Sequence, residues 1–244
     1  MEPQEYKKMY EMEEKYWWYV GRRSIVKNCI KPSEHLSIID VGCGTCFNLD
    51  YLKDFGIPMG LDFSKDVLAL SKKRGVYDVI NADIRKIPLK SKSFDLVTCL
   101  DVLEHVDDSM ALNEINRIMK LNAILIITVP VFNFLWSNQD NILHHKRRYS
   151  IKELKKTLSS KGFVIEKISY WNFFLFPLIF LIIYMNNTIY PNRKENIIKV
   201  IKLPEIINAL FTQILKTESF LISQNINLPF GVSAICVCKK KANI

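Results

Sequence analysis

The stretch that most constrains this chain is Ile38-Ile39-Asp40-Val41-Gly42-Cys43-Gly44-Thr45-Cys46, an apolar run that stops at an acid and turns through Gly-x-Gly. Such a turn lets backbone N–H groups approach a ligand closely, because glycine carries no side chain to hold the ligand off. A second strand-like run ends on another acid, Gly60-Leu61-Asp62-Phe63-Ser64, with Asp62 lying 18 residues after Gly44. A carboxylate there is placed to accept ribose hydroxyls. The pair of strand ends points to a ligand that carries a nucleoside.

Apolar strand-like runs recur at Leu36 to Val41, Pro58 to Asp62, Asp78 to Asn81, Phe94 to Leu100, Ile124 to Val129 and Phe163 to Ser169. Helical patterns fill Asn48 to Phe55, Lys65 to Arg74, Met110 to Lys120 and Ile151 to Lys161, the last opened by Ser150 as an N-cap. Alternation of this kind implies a parallel sheet with helices on both faces, and ligands at the carboxyl ends of its strands. Before the first strand, Tyr6 to Tyr19 forms an aromatic-rich helical stripe and Arg22 to Ile30 a second short helix, together a cap.

The 244 residues, 49% of them hydrophobic, are enough for one large core plus a small attached part. Met1 to Lys15 contains no apolar signal-peptide region, so a cytoplasmic setting with reduced thiols is expected. A formal charge of +9 is compatible with nucleic acid, an anionic membrane surface or an anionic substrate. No RNA-binding module is recognisable, so nucleic acid is not the expected partner.

A Gly-x-Gly turn alone does not choose among cofactors, because dinucleotide enzymes use a related G-x-G-x-x-G whose third glycine is absent here. The series DVGCGTC (Asp40 to Cys46), GLDFS (Gly60 to Ser64), NADIRKIP (Asn81 to Pro88) and SFDLVTCLDVLEHV (Ser93 to Val106) does choose. In order and spacing it resembles the class I S-adenosylmethionine-dependent methyltransferases of the type 11/12 kind. That resemblance implies an α/β, doubly wound, Rossmann-like seven-stranded sheet with S-adenosyl-L-methionine as cofactor. It implies that Asp40, Gly42, Cys43 and Gly44 line the methionine end, that Asp62 with Phe63 takes the ribose, that Asp83 and Ile84 hold the adenine, and that Leu100 and Asp101 border the sulfonium. Cys46 departs from the family, which usually has a third glycine there.

Trp17-Trp18-Tyr19-Val20-Gly21-Arg22-Arg23, Trp136 through Asp140 to His145-Lys146-Arg147-Arg148-Tyr149, and Leu228-Pro-Phe-Gly-Val-Ser233 resemble a narrower bacterial and archaeal subgroup with WWxxGRR and HxRRY motifs. Its members are associated with glycan or lipid modification. The expected reaction is therefore methyl transfer to an O or N atom of a small-molecule, glycan or lipid-linked acceptor. A quinone-type O-methyltransferase, a catalytically silent S-adenosylmethionine-binding partner protein and a nicotinamide-dependent dehydrogenase are the alternatives.

A hydroxyl acceptor needs a base. His145 is the first candidate, an imidazole in a loop after a strand's carboxyl end, with Asp140 and His105 behind it. Trp18, Arg147, Arg148 and Tyr149 are the candidate acceptor-binding residues, the arginines because a forked guanidinium suits an anionic group. Cys43-x-x-Cys46 with Cys236-x-Cys238 could be counted as zinc ligands, but the first pair sits inside the cofactor turn and no metal is expected.

About sixty residues separate Ser169 from the last strand, Val232 to Cys238, far more than a simple connection needs. The expected organisation is a cap (1–35), a cofactor-binding core (36–169), an apolar helical insertion (170–227) and a final strand with a basic tail (228–244). Tyr170 to Tyr190 holds 21 residues without a charge, but Asn172, Pro177, Asn186 and Asn187 interrupt it and argue against a simple membrane span. Two readings stay open: a helical hairpin in peripheral contact with an anionic membrane, and a cover over the acceptor site or a dimer surface.

Overall fold

The computed structural model describes residues 3–31, 35–75, 78–189 and 203–241. Seven strands form one sheet: β1 (Leu36–Val41), β2 (Gly56–Asp62), β3 (Val79–Asn81), β4 (Phe94–Leu100), β5 (Met119–Pro130), β6 (Phe163–Trp171) and β7 (Ser233–Lys240), in the spatial order β3-β2-β1-β4-β5-β7-β6. The order reverses between β1 and β4. A doubly wound sheet opens its ligand crevice at that point, beyond the carboxyl ends of the strands.

The parallel order implied by the alternating elements stops at β7. β7 runs antiparallel to both neighbours, Thr128 facing Ile235 on β5 and Ile168 facing Cys236 on β6. The alternating run of strands and helices ends at β6, and the long insertion returns the chain from the sheet's carboxyl end, so β7 enters from there. Its residues are buried on both faces, as a strand between two others must be.

The helices are α1 (Pro3–Met12), α2 (Trp17–Cys29), α3 (Phe47–Leu52), α4 (Lys65–Lys73), α5 (Asp108–Ile118), α6 (Asn138–Ile142), α7 (Ile151–Ser160), α8 (Phe176–Ile189) and α9 (Glu205–Ser223). α7 starts as its capping signal predicts: Ser150 Oγ accepts from the Glu153 N–H at 3.2 Å and Glu153 accepts in return from the Ser150 N–H at 2.9 Å. α5 begins earlier than its apolar period suggests because Asp107 accepts from the Met110 N–H, and it ends earlier because Met119 pairs with Phe94.

Alternation along the strands divides the core. Ile39, Val41, Ala234, Cys236 and Cys238 face one side with Leu112, Ile115, Leu154 and Leu158 of α5 and α7. Ile38, Ile235 and Val237 face the other with Ile25 and Val26 of α2 and Leu215 and Ile222 of α9. The cysteine pairs therefore do not assemble: Cys43 and Cys46 pack in the second cluster, Cys236 and Cys238 in the first.

The cap is divided differently from its sequence pattern. The chain breaks after Met12, so Trp17, Trp18 and Tyr19 share α2 with Arg22. The break is stabilised from far away: Asn208 of α9 accepts from the Trp17 N–H at 2.9 Å and donates to the Lys15 carbonyl at 2.8 Å. α9 is thus part of the main core. Of the insertion, residues 190–202 lie outside the described residues, and among the described ones no helix is long and apolar enough to cross a membrane.

Candidate active site

The strand ends build one cleft of about 480 Å³. Its near wall is the turn after β1: Gly42 at φ 74° and Gly44 at φ 55° hold left-handed backbone, and a Cβ on Gly42 would stand 2.3 Å from Val102 Cγ2. Cys46 also lies at φ 67° and is fully buried, with its Sγ 3.5 Å from Cys43 Sγ. The chain therefore holds left-handed backbone at this position without glycine, at the steric cost that a Cβ brings there.

Asp62 closes the turn from β2. Its Oδ2 accepts from the Gly44 N–H at 3.0 Å and its Oδ1 from the Ser64 N–H at 2.9 Å. Burial pushes its carboxyl upward from the ordinary value, and those two N–H groups oppose the shift. Each oxygen retains a lone pair, so the carboxylate fits a vicinal diol. Asp40, by contrast, does not line the cleft. It is buried behind the turn, accepting from Thr98 Oγ1 at 2.6 Å and Asn48 Nδ2 at 3.2 Å, and acts as a brace.

Ala82, Asp83, Ile84 and the exposed Phe63 form the end of the cleft beyond β2 and β3. The Asp83 carboxylate is forked onto Arg85, with Nη2 at 2.5 Å, and that hydrogen bond holds it below its ordinary value. Leu100 and Asp101, at the end of β4, form the floor. Asp101, at φ 57°, accepts from Arg22 Nη1 at 2.6 Å, and the Arg22 guanidinium lies 4.9 Å above the Trp18 ring.

The cap supplies a wall that the cofactor motifs alone did not identify. Tyr6, Met9, Glu13, Trp18, Tyr19 and Arg22 all border the cleft. Glu13 takes a hydrogen bond from Thr45 and lies 2.7 Å from Arg74 Nη2, and burial still pushes it up to about 7. The only signal for this wall in the sequence was the WWxxGRR resemblance.

The opposite end carries His105, Gln139, His144, His145 and Lys146. Two backbone bonds place them: the His145 N–H donates to the Asp140 carbonyl and the Lys146 N–H to the Glu104 carbonyl, each at 2.8 Å. His145 Nδ1 lies 2.8 Å from Asp140 Oδ1, and the His145 ring meets His105 edge-on at 4.8 Å. Burial, with His145 beside it, lowers His105 to about 4, so it stands neutral.

Four acceptor-side expectations are corrected. Asp140 is not a base: although burial alone raises it, His145 and Arg148 hold it down at about 2, and it does not line the cleft. Arg148 forks onto it, Nε to Oδ1 at 2.8 Å and Nη2 to Oδ2 at 3.0 Å. Arg147 pairs with Asp108 at 2.9 Å, and the buried Tyr149 hydroxyl donates to the same carboxylate at 2.9 Å. These side chains brace the loop, and of its basic run it is Lys146 that borders the cleft.

A model of the methyltransferase domain matches residues 39–127, the stretch from β1 into β5. A probable S-adenosylmethionine-dependent methyltransferase of Mycolicibacterium smegmatis is 22% identical over 63% of this chain and 62% of its own length. These matches support a class I S-adenosylmethionine-dependent methyltransferase domain over that stretch. An uncharacterised protein of Methanocaldococcus jannaschii is 38% identical over 59% of this chain and 61% of its own. The matches thus span about three fifths of these relatives. A chain of a Haloferax volcanii complex containing the Trm112 methyltransferase activator superposes with a TM-score of 0.63 at 16% identity, covering 99% of this chain and 95% of that one.

The cofactor is S-adenosylmethionine, and the cleft fits it. The Gly42-Cys43-Gly44 backbone, the Asp62 carboxylate and the Ala82–Ile84 segment lie in series along one cleft. Arg22 Nε is buried without a hydrogen-bond partner among the described residues, a donor left over beside that turn.

Proposed function

We propose that the chain transfers a methyl group from S-adenosylmethionine to an oxygen or nitrogen of a small-molecule, glycan or lipid-linked acceptor that enters at the His105–His145 end of the cleft. The observation that carries this reading is the continuity of one cleft, from the glycine turn and Asp62 at one end to His105, His145 and Lys146 at the other. When bound, S-adenosylmethionine supplies a methyl group on an already activated sulfonium. What remains for the protein is to position the acceptor in line and exclude water.

Trp18, Tyr19 and Arg22 of α2 close the cleft over the Asp101 floor. Asp140 orients His145 by taking Nδ1–H, which leaves the Nε2 lone pair as the group that meets an acceptor hydroxyl. His145 is the proposed catalytic residue, and Asp140 positions it.

An apolar acceptor or its lipid carrier is supported by the exposed side chains of the insertion. Phe174, Leu178, Leu181 and Tyr184 on and before α8, and Ile206 and Leu210 on α9, are all 44% exposed or more. With the chain's formal charge of +9, such a surface suits peripheral contact with an anionic membrane.

The test is incubation with methyl-labelled S-adenosylmethionine and separately fractionated lipid, glycan, small-metabolite, RNA and protein extracts. Label is expected in one of the first three. Label confined to RNA or protein overturns the acceptor class, and binding of S-adenosylhomocysteine without transfer to any fraction overturns the enzymatic reading.

A further inference from the structure

Glu104 lies in the short turn Leu103–His105 that follows β4, and it is fully buried. Neither of its carboxylate oxygens has a hydrogen-bond partner among the described residues. An unpartnered buried carboxylate is expensive, whether charged or kept neutral, and a native chain retains one where something else satisfies it. The nearest ring nitrogen is His145 Nε2, 4.0 Å from Glu104 Oε1. Glu104, His105 and His145 each offer one donor atom, and all three atoms lie within 4.8 Å of one another.

Both histidines are held from behind. Asp140 takes His145 Nδ1 at 2.8 Å, and the His105 ring is hydrogen-bonded to the backbone of His144. A carboxylate or carbonyl on the far nitrogen is the arrangement that fixes a metal-ligating imidazole, its free nitrogen turned toward the ion. Here the free nitrogens turn toward a buried carboxylate and the cleft, which His105 and His145 both line.

We propose that Glu104, His105 and His145 form a site for one divalent transition-metal ion at the acceptor end of the cleft. Two imidazoles and one carboxylate suit zinc, manganese or iron(II), whereas calcium and magnesium sites are built from oxygens. Donor atoms around an ion with bonds of about 2.1 Å sit roughly 3.4 Å apart, so the site contracts by about 1 Å on binding. Three protein ligands leave coordination positions open, and these face the space where the acceptor enters. With the ion bound, His145 Nε2 is a ligand and no longer a base, and an acceptor hydroxyl or amine would be activated by ligating the ion instead. That consequence rests on the methyl-transfer reading; the ion site itself does not.

The experiment uses the full chain, stripped with EDTA and titrated with Zn²⁺ alone and then Mn²⁺ alone, with bound metal measured after desalting. One equivalent per chain is expected. Glu104→Gln, and separately His105→Gln, should weaken Zn²⁺ binding about tenfold or more, with S-adenosylhomocysteine binding retained as proof of folding. If a variant does not fold, the Co²⁺ spectrum of the unaltered protein decides: bands of nitrogen and oxygen ligation support the site, and thiolate-to-cobalt charge transfer assigns the ion to the cysteines and overturns it. Absence of stoichiometric binding, or undiminished affinity in folded Glu104→Gln, also overturns it. Methyl transfer at full rate by the metal-stripped chain removes the ion from the reaction and leaves the proposed function standing. Stoichiometric binding without transfer to any extract supports the site and defeats that function.

Discussion

Gly42→Ala tests whether the β1 turn is held open by the absence of one carbon. At φ 74°, an alanine here carries the left-handed cost of about 1–2 kcal/mol. Its Cβ would also stand 2.3 Å from Val102 Cγ2 and 3.0 Å from Cγ1, an overlap in the range of about 1–3 kcal/mol for overpacked sites. The chain relieves both by rotating the turn, which withdraws the Gly44 N–H from its 3.0 Å bond to Asp62 and displaces the backbone that meets the cofactor. Titration calorimetry with S-adenosylhomocysteine should show affinity weakened by about 30-fold or more, since each 1.4 kcal/mol is tenfold. Val102→Ala in the same chain removes both Cγ atoms and leaves the Val102 Cβ at 3.3 Å from the new methyl. That double variant should recover about tenfold and no more, because the left-handed cost remains. Single-variant affinity within threefold of the unaltered chain, or a double variant no tighter than the single, would refute the reasoning.

His145→Gln should lower turnover by about a hundredfold, with S-adenosylhomocysteine affinity unchanged within threefold, by radiolabel transfer and calorimetry. Asp140→Ala strands the buried Arg148, whose side chain is 8% exposed, and urea denaturation should show a loss of about 3–5 kcal/mol. Burial raises Asp40 from 3.8 to about 6, against its bonds from Thr98 and Asn48. The native state then holds a proton that the unfolded chain has lost, so the stability linked to Asp40 is full below about pH 4 and falls as pH rises through about 6, by on the order of 3 kcal/mol. Asp40→Asn should flatten that part of a pH series of urea melts. Leu178, Leu181 and Tyr184, 44%, 51% and 58% exposed, can be changed together to Ser with little effect on the melt, and flotation with anionic vesicles at low salt should then be lost; unaltered flotation would remove α8 as the contact.

The sheet was legible because its strands are apolar runs of fixed period bounded by Gly, Asp and Ser, and β1 and β4 carry the very bounds that their patterns give. The cofactor half of the site was legible for a related reason. Asp62, the glycine turn and the Asp83 segment are strand ends, and a strand end is where periodicity stops. The acceptor half was not. Arg147, Arg148 and Tyr149 read as acceptor-binding residues, but the partners Asp108 and Asp140 lie 39 and 8 residues away from Arg147 and Arg148 respectively, and nothing local says that the charges are taken. Glu104 was hidden for the same reason: its burial follows from the loop before α7 folding over it through the Lys146 N–H. The antiparallel β7 could not be read from composition either, since direction depends on where the preceding sixty residues leave the chain.

The WWxxGRR segment acquires a physical meaning only once α2 and α9 are seen together. A Cβ on Gly21 would lie 2.2 Å from Leu215 Cδ1, so glycine there lets the two helices touch at the backbone. Ser24 and Asn28 extend the same seam to Ser219, with the Asn28 Nδ2 to Ser219 Oγ bond at 2.8 Å. One residue on from Gly21, Arg22 turns the other way, to Asp101 and the cleft. α2 is therefore a rigid link between the insertion and the cofactor floor, and Trp18 joins them again by meeting both the Arg22 guanidinium and the Trp171 ring, the latter at 5.7 Å. A displacement of α9 is therefore expected to reach Asp101 through these packed side chains. Gly21→Ala must push α9 away or rotate α2, and either movement drags Arg22 from its 2.6 Å bond. Its expected signature is a weaker S-adenosylhomocysteine affinity from a substitution that touches no ligand. Unchanged affinity in a folded Gly21→Ala chain would mean that the roof and the floor are mechanically separate.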